Sequence, residues 1–67
     1  MIEELSVADI RLKYEMGLRD IPGVVGVSHT YDKIIVYVAS EEVIPLVPNM
    51  LEGIPVQKVV TGKIGLL

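Results

Sequence analysis

"KIIVYVA", residues 33 to 39, constrains this chain more than any other stretch. Side chains alternate between the two faces of a strand, so Ile34, Val36 and Val38 share one face while Ile35 and Tyr37 share the other. Both faces are apolar. Such a strand belongs in the middle of a sheet, covered and flanked, not at its edge. The rest of the sequence must therefore supply neighbours for it and a layer to lie over it.

Val24 to Thr30 reads as one neighbour, joined to Lys33–Ala39 by the short connection "TYDK" as an antiparallel hairpin. "IPVQKVVT", residues 54 to 61, reads as a third strand, entered through the loop "NMLEG" that turns at Gly53. Gly62 permits a bend, and "KIGLL" then adds a short fourth strand or leaves as an apolar tail.

The covering layer comes from helices. Ser6 is placed to cap one, with Asp9 three residues on in the capping-box position and Leu5 and Ile10 as a hydrophobic staple. Glu3 and Glu4 suit the positive end of the helix dipole. The helix is expected to run to about Arg19 and to stop before Pro22, which disfavours helical geometry at Ile21. Ser40 caps a second helix beginning "EEVI", limited by Pro45 and ended by Pro48. The order is α-β-β-α-β with an optional final strand. It specifies a single domain over residues 1–67, an α+β two-layer sandwich with helices on one face of an antiparallel or mixed sheet.

The first helix has two apolar stripes. Ala8, Leu12 and Met16 form one, and Val7, Ile10, Tyr14 and Leu18 form another nearly opposite. Asp9, Lys13 and Asp20 lie on one flank, and Arg11, Glu15 and Arg19 on the other. A helix resting on one sheet needs one stripe. The second is left for a partner surface or for the chain ends to cover.

Size sharpens that expectation. A chain of 67 residues buries only about 60% of the surface its unfolded form exposes, and domains this small often lean on disulfides, a metal or a partner subunit. With no cysteine and one histidine, His29, disulfides and thiolate metal sites are excluded and imidazole ligands are scarce. No cofactor is expected. Hydrophobic residues make up 51% of the chain and mean hydropathy is +0.53, more apolar mass than so small a domain hides readily. Association with itself or with another protein is the remaining support.

Charge narrows the partner. Six Lys and Arg against nine Asp and Glu give a net charge of −3, and the cations are scattered, so nucleic acid and anionic membranes are poor candidates. The acidic N-terminus is not expected to act as a signal peptide, and the longest apolar run, "IIVYVA", is six residues, far short of a membrane span. A cytoplasmic location is expected.

Three motifs hold residue types that could carry chemistry. Gly23 to Gly26 in "IPGVVGV" matches the GxxG of an RNA-binding KH loop, but that loop joins two helices beside basic residues. Here it follows a helix, opens a strand and holds no cation. Gly23 fits a turn after Pro22, and Gly26 a strand position closely approached by a helix. "SHTYD" holds Ser28, His29 and Asp32, the residue types of a nucleophilic triad, yet strand alternation sends Ser28 and His29 to opposite faces. Glu41 and Glu42 match the ordinary preference of helix starts for acids. No enzyme is expected.

"IPGVVGV" followed by "KIIVYV", "VPNMLEGIPV" and "TGKI", together spanning residues 18 to 64, resembles the small α/β module ahead of the protease domain in some bacterial trypsin-like serine proteases and in freestanding microbial proteins. Its topology is similar to the prodomain of α-lytic protease. The resemblance implies a non-catalytic module and carries over no catalytic residue. The function expected is thus a protein-interaction module, self-associating as a homo-oligomer or docking on a protein partner. Its candidate contact residues are Val7, Ile10, Tyr14 and Leu18 on the helix and Ile64, Leu66 and Leu67 in the tail. The alternative is a prodomain-like chaperone or inhibitor with a protease-type partner, and RNA binding ranks below both.

Overall fold

A computed structural model describes residues 6–61. Helix α1 spans Val7–Arg19, followed by strands β1, Val24–His29, and β2, Ile34–Val38. A 3₁₀ segment, Glu41–Leu46, leads to β3, Met50–Leu51, and β4, Ile54–Val60. The strands form one mixed sheet in the order β1-β2-β4-β3, with β2 antiparallel to β1 and parallel to β4, and β3 antiparallel to β4. The fold is α+β, and β2 is central as its two apolar faces require.

Helix α1 begins as its sequence dictates. The Ser6 hydroxyl accepts from the Asp9 amide at 3.2 Å, and the Asp9 carboxylate accepts from the Ser6 amide at 3.2 Å, closing the capping box. At the other end the Asp20 amide still donates to Met16 and Gly17 before Pro22 turns the chain away. Gly23 follows with φ 97°, and its position admits no other residue: a Cβ there would lie 2.3 Å from Val43 Cγ2.

The hairpin of β1 and β2 carries a bulge. Val24 pairs with Val38 but Gly26 pairs with Tyr37, so Val25 is the extra residue and projects 56% exposed from the edge. What approaches Gly26 is therefore not a helix. A Cβ there would meet the Tyr37 ring at 3.6 Å, an ordinary contact on the side of the sheet away from α1.

Two elements depart from expectation. The segment after Ser40 is a six-residue 3₁₀ helix, and the Ser40 side chain makes no capping bond. Pro45 has no N–H to return to Glu41 and disfavours α geometry at Ile44, so only i to i+3 bonds such as Val47 N–H to Ile44 O survive. The expected loop "NMLEG" instead holds β3 and a tight hairpin. Glu52 at φ 51° and Gly53 at φ 86° give the two left-handed residues that a type I′ turn requires. Strand β3 is thus the fourth strand, while the tail considered for that role lies outside the described residues.

The core is one cluster: Ile10 and Leu18 from α1, Ile34, Val36 and Val38 from β2, Val43 and Val47 around the 3₁₀ segment, and Val56 from β4. Ile34, Val36 and Val38 retain no solvent exposure at all. Every one of these residues lies on, or points toward, the face of the sheet that α1 covers.

Candidate functional site

The helix stripe assigned to a partner faces the domain's own sheet instead. Ile10 and Leu18 are each only 4% exposed, and Val7 and Tyr14 are half-buried against the same core. The bulkier stripe wins the sheet because it buries more apolar area. Leu12 and Met16, 61% and 79% exposed, form the outward stripe. Ile64, Leu66 and Leu67, the other expected contact residues, lie outside the described residues.

The charged flanks of α1 find partners toward the two opposite edges of the sheet. On the β1 side, Arg11 Nε donates to His29 Nδ1 at 2.8 Å, and Arg11 also pairs with Glu15 one turn on. His29 therefore holds α1 to β1. Ser28 pairs with Ile35 on the opposite face, and Asp32 accepts from the Thr30 hydroxyl at 2.9 Å within the turn. The three residues of "SHTYD" do not converge.

On the other side, Lys13 Nζ and the Tyr14 hydroxyl donate to the same oxygen of Glu52, at 2.7 and 2.8 Å. These hydrogen bonds hold the Glu52 carboxyl below its usual range, that from Lys13 having the larger effect. In return the hydrogen bond to Glu52, reinforced by its charge, raises Lys13. Tyr14 is raised first by its own hydrogen bond to Glu52 and then by burial. Sequence reasoning missed this group, since 39 residues separate Lys13 from Glu52 and only the β3–β4 turn brings them together. It is a clip across the surface, with both acceptor and donors committed to each other.

A shallow, open groove of about 470 Å³ lies between the start of α1 and the β1–β2 turn, lined by Ser6, Val7, Ala8, His29, Thr30 and Tyr31. Its polar side chains are engaged with other residues: Ser6 with Asp9, His29 with Arg11 and Thr30 with Asp32. Among the described residues no cluster of three His, Cys, Asp or Glu side chains could hold a metal, and no helix is long and apolar enough to cross a membrane.

The sheet's far face is the distinctive surface. Register places Gly26, Tyr37 and Val59 side by side in one row across β1, β2 and β4, and Ser28, Ile35 and Gln57 in the next. Pro55 and Met50, which pair across β4 and β3, sit at one corner, with Met50 58% exposed. No described element lies over these rows, because α1 and the 3₁₀ segment both pack on the other face. The face is also uncharged. Among all residues of the four strands there is no Asp or Glu, and the one Lys or Arg, Lys58, shares the helix-side parity of Val56 and bonds to Asn49.

Comparison with protein-family models, curated proteins and solved structures gives no match. The arrangement of this chain's own residues is what carries the functional reading.

Proposed function

We propose that the chain is a non-catalytic, cytoplasmic protein-interaction module that binds through the uncovered face of its sheet. One observation carries the reading: two rows of uncharged residues, centred on the half-buried Ile35, Tyr37 and Val59, over which no described element lies, in a chain of which 22% is charged. Charge is depleted at the centres of protein interfaces and Tyr is enriched there.

The test compares proteins captured from host lysate by the immobilised chain and by Val59→Lys. The reading expects a protein held by the first and released by the second, whether that protein is another copy of the chain or a different one. Identical capture by both would remove the sheet face from consideration.

A further inference from the structure

The contact that ties α1 to β1 depends on where one proton sits. We infer that Arg11 and His29 form an acid-sensitive latch, closed while the His29 imidazole is neutral and opened when it takes up a proton.

The donor decides the form of the acceptor. A guanidinium has only N–H donors and is not deprotonated in proteins. Arg11 Nε, 2.8 Å from His29 Nδ1, therefore donates, and Nδ1 accepts. An imidazole nitrogen accepts only when it carries no hydrogen. In the latched arrangement His29 is thus neutral, with its single proton on Nε2. A second proton can go only to Nδ1. It abolishes the acceptor and sets two cations against each other where a hydrogen bond had been.

The surroundings offer that new charge little compensation. His29 pairs with Ile34 at the end of β1, on the helix side of the sheet, and Ile34 pairs with Val56. Both of these neighbours are apolar and buried. From α1 the facing charges are Arg11 itself and Glu15, and Glu15 is already shared between Arg11 and Arg19, the latter at 3.8 Å. From the β1–β2 turn, the Asp32 carboxylate accepts from the Thr30 hydroxyl, Tyr31 stands exposed beside the groove, and Lys33 adds a further cation. Among the described residues His29 has no ion pair with a carboxylate; Glu3 and Glu4 lie outside them.

Opening is local. Arg11 keeps its pairing with Glu15 on its own helix, so what disappears is the cross-link from helix to strand. Ile10 and Leu18 still bury α1 in the core, and the domain stays folded while the first half of the helix loosens. The direction follows from proton counting. The latched form binds one proton fewer than the open one, so falling pH favours opening. Histidine is the side chain whose charge ordinarily changes between about pH 5 and 8.

The test is nuclear magnetic resonance on the full chain, titrated from about pH 8 to about pH 5. The Arg11 Nε–H signal should be protected at the upper end and lost on the same curve that the His29 ring follows. Amide exchange in the first half of α1, corrected for its intrinsic pH dependence, should quicken by about tenfold, the size expected for losing one hydrogen bond to a charged donor. Exchange in β2 should keep its protection. His29→Gln retains an acceptor but does not titrate, so its Arg11 signal and α1 exchange should not respond over this range. Glu52→Gln, on the opposite flank, should respond as the parent does, which separates the latch from the carboxylate clip. A thermal melt checks that each variant folds, and His29→Asn replaces His29→Gln if the latter does not.

An Arg11 signal that persists while the His29 ring titrates overturns the inference, as does its absence from the folded parent at pH about 8. An equal pH response in the parent and the His29 variant also overturns it. Because the parent's own titration decides the first two outcomes, the proposal stands or falls even if neither variant folds.

Discussion

The two faces of the sheet are made from alternate residues of the same strands, yet they solve opposite problems. Ile34, Val36 and Val38 are sealed under α1 and the 3₁₀ segment, whereas Ile35 and Tyr37 are half-buried on the face over which no described element lies. The helix side has the charge: Arg11 holds β1 through His29, and Lys13 holds the β3–β4 turn through Glu52, so α1 is clipped along both flanks. The far side has no clip and no charge. One face is thus held by a cover within the chain, and over the other no described element lies.

Neighbouring isoleucines give the largest test of this contrast. Ile34→Ala leaves a cavity where no solvent reaches and should cost about 2–5 kcal/mol, much of the stability of so small a domain. Ile35→Ala removes the same atoms from the half-buried face and should cost about 1 kcal/mol. Urea unfolding of both variants in dilute solution measures the gap. Equal losses would mean that the far face is as well covered as the near one.

The glycines offer a second, smaller contrast. Gly23→Ala forces a left-handed residue and drives its Cβ to 2.3 Å from Val43 on the helix side, an expected loss of about 2–4 kcal/mol from strain and overpacking. At Gly26 the added methyl meets Tyr37 at 3.6 Å on the open side, and stability should change by no more than about 0.5 kcal/mol. Thermal melts decide it. A Gly26→Ala variant as damaged as Gly23→Ala would show that the far face is packed more tightly than its register indicates.

How much of this the sequence disclosed follows from the range of each interaction. The capping pair Ser6 and Asp9, the stop at Pro22 and the apolar run of β2 act within a few residues, and each appears as read. The 3₁₀ segment is also local, and Pro45 was the sign against a full α-helix. The choice between helix stripes had a signal as well, in the greater bulk of Ile10, Tyr14 and Leu18 over Ala8, Leu12 and Met16. Other features had none. Strand β3 depends on a glutamate accepting a left-handed conformation at position 52, and "EG" is not one of the turn pairs that mark a type I′ hairpin. The uncharged rows emerge only when β4 lies parallel to β2, a pairing set by a crossover and not by a hairpin. That long-range pairing determines what Gly26 and Val59 share.

The smallest effect separates the clips from the open face by pH. Glu52 titrates lower in the folded chain than in the unfolded one, first because of the hydrogen bond from Lys13 and then because of that from Tyr14. Its stabilisation is present above the unfolded carboxyl value and is lost as pH falls through the folded one. Lys13 and Tyr14 are raised, chiefly by their hydrogen bonds to Glu52, so their contribution is present below their unfolded values and is lost as pH rises through the folded ones. The clip thus works between the ordinary carboxylate range and the ordinary phenol and ammonium range, and salt weakens it because its groups lie at the surface. Glu52→Gln retains an acceptor but not the charge. Melting temperature measured across pH should show shallower acid and alkaline losses in Glu52→Gln than in the parent chain, and superimposable profiles would mean that the contact contributes nothing. Protein capture sensitive to Val59→Lys, measured at neutral pH, should not change with this substitution, since Glu52 is bound to the helix on the covered side. A change there would mean that the two faces are not independent, and the contrast between an internally held face and an open one would fail.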